Sequence, residues 1–91
     1  MKTIANYIMK CDPSLIKRPG NIAMPGGAEI IRVDDFFGKA RLWAIIDNQM
    51  AIITRTFINL MIDEQIPPGA QYIGTWAQST YWIWHLFEVK K

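Results

Sequence analysis

Apolar and polar residues alternate with a period of two along several short runs of the chain, which is typical of β-strands that bury one face. Clusters rich in Pro, Gly, Asp, Asn and Ser separate these runs and favour turns. The pattern predicts about seven short strands, at residues 3–9, 21–24, 28–33, 41–47, 50–58, 72–78 and 81–89. Residues 59–66 fit either a short helix or an extension of the preceding strand. Asn48 and Gln49 predict a tight turn between the fourth and fifth strands.

The last predicted strand is apolar on both of its faces. Alternation places Tyr81, Ile83, His85 and Phe87 on one face and Trp82, Trp84, Leu86 and Glu88 on the other. A strand with two apolar faces is either central in a closed structure or covered by another subunit. In the fifth strand the same rule groups Arg55 with Phe57.

Two parts of the chain share a pattern, with Ala28 and Ala70 at matching positions 42 residues apart. Pro-Gly-Gly-Ala-Glu-Ile-Ile at 25–31 matches Pro-Pro-Gly-Ala-Gln-Tyr-Ile at 67–73, and the segments 42–47 and 83–88 share an apolar-Trp-x-apolar-apolar-acid pattern. This spacing predicts two related hairpins, about 25–47 and 67–88. The expected fold is mainly all-β, a small antiparallel barrel-like or sandwich domain of about seven strands built from these two hairpins, with room for one short helix.

Length and composition favour one domain with more apolar residues than its core can bury. The 91 residues predict a single domain at 1–91, with 51% hydrophobic and only 20% charged residues. In so small a body, some of this apolar material is expected to remain on the surface, where large apolar patches mark interfaces. We therefore expect a homo-oligomer.

Charge and the lengths of the apolar runs disfavour two classes of partner, and cysteine usage indicates the redox environment. The formal net charge of +2 comes without a clustered basic stripe, which disfavours a nucleic-acid partner. No run reaches the roughly 18 apolar residues that span a bilayer, and the first ten residues lack a signal-peptide pattern, so we expect no membrane association. The single cysteine, Cys11, cannot form an internal disulfide and suits a reducing cytosol.

No group of residues forms a recognisable catalytic or metal-binding motif. His85 is the only histidine, and its nearest candidate partner, Glu88, falls on the opposite face of the strand. The acidic pairs at 34–35 and 63–64 and the glycines at 26–27 read better as turn residues than as metal or phosphate ligands. The sequence therefore predicts a protein that is not an enzyme and binds no cofactor or metal.

Aromatic residues are the strongest candidates for binding. The chain has four Trp, and so small a domain can scarcely bury all of them. The candidate ligand- or partner-binding residues are Arg55, Phe57, Tyr72, Trp76, Trp82 and His85. Arg55 with Trp76 or Trp82 suits a nucleotide, because a guanidinium binds phosphate and an indole stacks on a base. The alternative is that most of these aromatic residues belong to the core or to a subunit interface.

Five segments, taken in order along the chain, carry a resemblance to a known family. They are Gly-Ala-Glu-Ile-Ile-Arg-Val at 27–33, Leu-Trp-Ala-Ile-Ile-Asp at 42–47, Arg-Thr-Phe at 55–57, Tyr-Ile-Gly-Thr at 72–75 and Trp-His-Leu-Phe-Glu at 84–88. Together they resemble a family of small phage and prophage proteins, a domain of unknown function, over roughly residues 2–88. The family often has a Gly-Thr-Gly element after the third segment, where this chain has residues 59–64. It carries no catalytic residues to transfer.

The resemblance implies a phage accessory protein of the host bacterial cytoplasm. We expect it to counter a host antiviral defence by stoichiometric binding, either inhibiting a defence protein or sequestering a nucleotide signal. The alternative is a phage structural or assembly protein that acts only through association with itself or with virion proteins.

Overall fold

Seven β-strands form the regular structure of residues 1–9, 19–78 and 82–90, the part of the chain that the computed structural model describes. In chain order they are β1 (Lys2–Ile8), β2 (Gly20–Pro25), β3 (Glu29–Phe36), β4 (Lys39–Asp47), β5 (Ile52–Leu60), β6 (Gln71–Ala77) and β7 (Ile83–Val89). No helix occurs among these residues. The predicted class, seven antiparallel strands in a barrel-like or sandwich arrangement, is confirmed. Cys11 and Tyr81 lie outside the described residues.

The strands form two antiparallel sheets. The three-stranded sheet has the order β1-β4-β3, and the four-stranded sheet has the order β2-β5-β7-β6. The two sheets approach closely between β3 and β6, where a Cβ atom added at Gly74 would lie 2.7 Å from Val33 Cγ1. Only a glycine leaves room for this approach.

The core lies between the two sheets and follows the alternation of the sequence. On β4 the buried residues are Ala40, Leu42 and Ala44, each separated by a partly exposed neighbour. The four-stranded sheet contributes the larger side chains, among them Phe57, Trp76, Trp84 and Leu86. Period-two burial of this kind is what fixes the register of each strand.

A β-bulge interrupts the first strand of each hairpin. The register shifts between Ile30 and Arg32 in β3 and between Tyr72 and Gly74 in β6, so the two bulges lie 42 positions apart. The register does not, however, align the two tryptophans of the repeated motif. Trp43 pairs with Arg32 just after the first bulge, but the residue that pairs with Gly74 after the second is Leu86.

The connections differ from the sequence expectations at two places. The turn at Asn48 and Gln49 forms, with Met50 N donating to Asp47 O over 3.1 Å, but it carries the chain from one sheet to the other and makes no hairpin. Residues 59–66 form no helix, because β5 continues to Leu60 and a turn then follows. Asp63 in that turn has φ 68°.

The hairpin of β3 and β4 ends in a two-residue turn whose first residue is phenylalanine. Phe36 pairs with Lys39, and Phe37 and Gly38 between them have φ 50° and 84°. Positive φ at both positions is the pattern of a type I′ turn, which favours Asn and Gly. We refer to residues 36–39 as the β3–β4 tip.

Candidate functional site

The outer face of the four-stranded sheet is apolar and aromatic at its centre. On β7 the buried residues Trp84, Leu86 and Glu88 face the core, so His85 and Phe87, which alternate with them, point outwards. Both are half-buried. Tyr72 on β6 pairs with Phe87 across the strands, and their rings meet edge to face at 5.6 Å. Tyr72 remains 55% exposed. This face thus presents aromatic rings to solvent.

A cleft of about 210 Å³ opens where residues 61–66 lie over this face. Its walls are mainly apolar, and the lining residues are Leu60, Met61, Ile62, Asp63, Glu64, Ile66, Tyr72, His85 and Phe87. Met61 N donates to Glu64 Oε1 over 2.7 Å, and Glu64 N donates to Met61 O over 3.3 Å, which fixes the connecting turn. We refer to this site as the outer cleft.

A chain of side-chain hydrogen bonds orients His85 at the outer cleft. Thr75 pairs with His85 across β6 and β7, and Thr75 Oγ1 lies 2.9 Å from His85 Nδ1. The Tyr72 hydroxyl lies 2.6 Å from the same Thr75 oxygen. The imidazole therefore has Thr75 as a hydrogen-bond partner, and the Thr75 hydroxyl in turn contacts that of Tyr72.

Arg55 is bound within the protein. Its Nε and NH2 groups donate to the two carboxylate oxygens of Glu88 over 2.8 and 2.6 Å. Its NH1 group donates to Ala28 O over 2.7 Å and lies 3.4 Å from Met24 Sδ. The hydrogen bonds from Arg55 hold the pKa of Glu88 below its usual range, against the opposing effect of burial. This pair joins β5, β7 and the turn that follows β2.

A second cleft of about 400 Å³ includes the edge of this ion pair. Its lining contains Arg55 together with two carboxylates, Glu88 and Glu29. Carboxylates repel the phosphate groups of a nucleotide, and the donors of Arg55 already serve Glu88 and Ala28. The arrangement therefore offers no clear phosphate site.

Of the six predicted binding residues, the structure brings Tyr72 and His85 together at the outer cleft, and Tyr72 also lines the second cleft with Arg55. Phe57 and Trp76 are core residues, and Trp76 Nε1 donates to Asn59 Oδ1 over 2.8 Å. Trp82 is 49% exposed and stands at the β6–β7 connection, where its carbonyl accepts from Gln78 N. Burial of Phe57 and Trp76 agrees with the alternative reading that many of the aromatic residues form the core.

Sequence reasoning missed the other walls of the outer cleft. Phe87 could have been found, because alternation places it on the same face as His85. Ile62 and Ile66 lie in the segment that fitted either helix or strand, so the pattern gave no direction for their side chains. The exposed Phe37 was also missed, since sequence alone does not show which of two adjacent phenylalanines points outwards.

The outer face of the three-stranded sheet carries a self-contained cluster. Arg41 donates to both oxygens of Asp34 over 2.9 Å, and Trp43 Nε1 donates to Asp34 Oδ1 over 3.2 Å. The guanidinium of Arg41 lies 4.8 Å from the Trp43 ring and 5.1 Å from the Phe36 ring. The hydrogen bond from Arg41 lowers the pKa of Asp34. These groups satisfy one another, which leaves the outer cleft as the stronger candidate site.

His85 and Glu88 lie on opposite faces of β7 and do not meet, since Glu88 faces Arg55 and His85 faces Thr75. Within residues 1–9, 19–78 and 82–90, no three His, Cys, Asp or Glu side chains gather in a way that could hold a metal ion. The same part of the chain has no helix long and apolar enough to cross a membrane.

Fold and site together define a two-sheet, all-β protein with an aromatic, apolar cleft on the outer face of its larger sheet. The chain belongs to a family described as a domain of unknown function, DUF7352, whose model matches residues 1–91. No curated protein and no solved structure matched the chain.

Proposed function

We propose that this protein is a non-enzymatic phage accessory protein that inhibits a host antiviral defence protein by stoichiometric binding at the outer cleft. The observation that carries the proposal is the cleft itself, which is apolar, walled by Tyr72 and Phe87 and open to solvent. Aromatic side chains around an apolar pocket are typical of the centre of a protein interface. The protein acts in the cytoplasm of the bacterial host.

A protein target suits this site better than a nucleotide signal does. The lining of the outer cleft contains no Lys or Arg side chain, and its charged groups, Asp63 and Glu64, are acidic. Arg55 donates to Glu88 and Ala28 within its own chain, and Trp76 is buried. Trp82 is exposed but lines neither the outer cleft nor the cleft beside Arg55, so it does not join Arg55 in a nucleotide site. An apolar side chain of a partner protein fits the cleft without leaving a buried charge.

The test is a plaque assay in bacterial strains that each carry one defence system and are challenged with a phage which that system restricts. We expect the wild-type protein to restore plaques in at least one strain. Ile66→Lys places a charge in the outer cleft and should abolish this effect. Ile4→Lys changes another exposed isoleucine, on β1 and outside the cleft (67% exposed against 53% for Ile66), and should keep the effect.

Two results would reject the proposal. One is that no strain of the panel becomes sensitive, and the other is that Ile66→Lys restores plaques as well as wild type does. Where a strain is sensitised, its defence protein is then purified and mixed with this protein in a calorimeter. We expect a 1:1 complex whose affinity Ile66→Lys lowers.

A structural role in the virion is the second candidate, and Phe37 favours it, because a largely exposed aromatic ring suits an assembly contact. Co-sedimentation of the protein with purified virions would support this role in place of defence inhibition. A protein absent from washed virions would contradict it.

A further inference from the structure

We propose that the outer cleft of one copy of this protein receives Phe37 of a second copy, so that the chain associates with itself through a knob and a hole. The knob is the phenylalanine at the β3–β4 tip, and the hole is the cleft of about 210 Å³ on the four-stranded sheet. The inference goes beyond the proposed function, although both use the outer cleft.

Two features of Phe37 are unfavourable, and its packing on Phe36 is the one ring contact among the described residues that could offset them. Its side chain is 89% exposed, so a large apolar ring faces water. Its φ of 50° lies in the left-handed region, which bulky side chains rarely adopt. Within the described residues, its recorded ring contact is an edge-to-face packing on Phe36 at 4.8 Å. A contact outside the chain would give this side chain a role.

The β3–β4 tip is held firmly, as an anchor for a partner should be. Gly38 N donates to Asp35 Oδ1 over 3.0 Å, which closes the tip upon itself. Gln78 Nε2 donates to Gly38 O over 3.0 Å, and Gln78 Oε1 accepts from Trp84 Nε1 over 3.0 Å. The tip is thereby tied to the core of the four-stranded sheet. A preorganised backbone at the tip reduces the entropy lost on binding.

The outer cleft fits a phenyl ring in size and in chemistry. An apolar cavity of about 150 Å³ holds one benzene molecule, so a cleft of about 210 Å³ has room for the ring of Phe37. The rings of Tyr72 and Phe87 in its lining favour edge-to-face packing with another aromatic ring.

Charge also favours this pairing. Lys39 follows Phe37 and Gly38 at the tip, where the Asp35 carboxylate accepts a hydrogen bond from Gly38 N, while the charged residues in the lining of the cleft are Asp63 and Glu64. Insertion of the ring would bring a cation to an acidic edge. Because knob and hole are different surfaces of one chain, a single contact leaves one tip and one cleft open, and assembly continues until the geometry closes.

Sharing of the cleft makes self-association and target binding compete. Phe37→Asn removes the knob but keeps the cleft, so it should lose self-association and still restore plaques in the assay above. Ile66→Lys should lose both. If Phe37→Asn is monomeric but no defence strain is sensitised, the proposed function fails while this inference stands. If wild type is monomeric and yet restores plaques, this inference fails while the proposed function stands.

The test is sedimentation equilibrium and native mass spectrometry of the purified chain. We expect wild type to associate with rising concentration. Phe37→Asn should raise the dissociation constant by about 30-fold or more, the effect of losing an anchor residue. Asn suits the left-handed position, so this variant is expected to fold, which a thermal melt checks. Ile66→Lys should also be monomeric, whereas Ile4→Lys should associate like wild type.

Mixing the two monomeric variants tests the contact directly. Phe37→Asn retains an open cleft and Ile66→Lys retains an intact tip, so an equimolar mixture should form a one-to-one complex with near wild-type affinity. Three results would overturn the proposal. The first is a wild type that stays monomeric in sedimentation equilibrium at 100 times the protein concentration used for native mass spectrometry. The others are a Phe37→Asn variant that associates like wild type and a mixture of the two variants that stays monomeric.

Discussion

Phe37 combines an unfavourable backbone conformation with an unfavourable exposure. A non-glycine residue in the left-handed region costs roughly 1–3 kcal/mol, and here no burial of the ring offsets this cost. The neighbouring Gly38 has φ 84°, which a glycine adopts without strain. The turn is therefore well formed at its second position and costly at its first.

Phe37→Asn should stabilise the folded monomer by about 1 kcal/mol, because Asn tolerates positive φ and its side chain is well hydrated. For a domain of this size the melting temperature should rise by about 4–8 °C. The melt is recorded at a dilution where wild type is monomeric. Phe37→Ala is the control, because it removes the ring but keeps a side chain in the strained position, and it should bring no such gain. Equal stabilisation by both variants would contradict this account of the turn.

The Arg55–Glu88 pair makes stability depend on pH. Hydrogen bonds from Arg55 lower the pKa of Glu88 from its ordinary value of 4.5, so the unfolded chain binds a proton more readily than the folded one does. The contribution of this pair to stability is present above pH 4.5 and is lost as the pH falls through the lowered pKa.

Glu88→Gln should therefore lower the free energy of unfolding by about 2 kcal/mol at pH 7, because an amide accepts fewer hydrogen bonds from Arg55 and carries no charge. The difference from wild type should shrink as the pH falls below 4.5. Urea unfolding at a series of pH values measures it. Glu29→Gln, at an exposed carboxylate, should change little. A gap between Glu88→Gln and wild type that stays constant from pH 7 to pH 2 would exclude this role.

At the scale of the elements, the two sheets fit together through one glycine. β3 and β6 approach so closely at Gly74 and Val33 that no side chain fits between them. The bulge that precedes Gly74 shifts the register of β6 against β7 at this point. A bulge also increases local twist, which lets a strand bend towards its neighbour.

Gly74→Ala should destabilise the protein by about 1–3 kcal/mol, the usual cost of overpacking. Its added Cβ atom would lie 2.7 Å from Val33 Cγ1. At Gly26 the closest atom to an added Cβ is 3.5 Å away, so Gly26→Ala is a matched control with little expected effect. Val33→Ala in the Gly74→Ala background should recover part of the loss, because it removes the clashing methyl group. Additive effects of the two substitutions in urea unfolding would contradict this contact.

Alternation predicted the strands well because burial itself has a period of two in this fold. β4 and β7 bury every second residue, and both lie within one or two residues of their predicted bounds. The partner of each strand depends on contacts between distant residues, so the sheet change after Asp47 was not visible in the local turn chemistry of Asn48 and Gln49.

The candidate site was predictable only where a strand carries it. Tyr72 and His85 lie in regular strands, and alternation groups His85 with Phe87. The remaining walls come from residues 61–66, whose path is fixed by hydrogen bonds between Met61 and Glu64 that no periodic pattern encodes. Arg55 and Trp76 were expected to bind ligands, but the ion pair with Glu88 and the hydrogen bond to Asn59 use them inside the protein.

At the scale of the whole molecule, the strands of one sheet are close together in the sequence and those of the other are not. Every strand of the three-stranded sheet lies within residues 2–47. The four-stranded sheet combines β5, β6 and β7 with β2, which lies far earlier in the chain and pairs with β5 across 35 positions at Asn21 and Thr56. The core closes only when both sheets are present, since its residues come from both.

This division sets an order of events during synthesis on the ribosome. The hydrogen-bond ladders of the three-stranded sheet are complete in sequence once Asp47 has been added to the growing chain. At that moment β2 has been made but its partner β5 has not. Translation from Asp47 to Val89, the end of β7, takes about 2–8 s at typical bacterial rates. During those seconds the nascent chain carries an unpaired strand with Ile22 and Met24 uncovered, and this interval is when chaperones would protect it most.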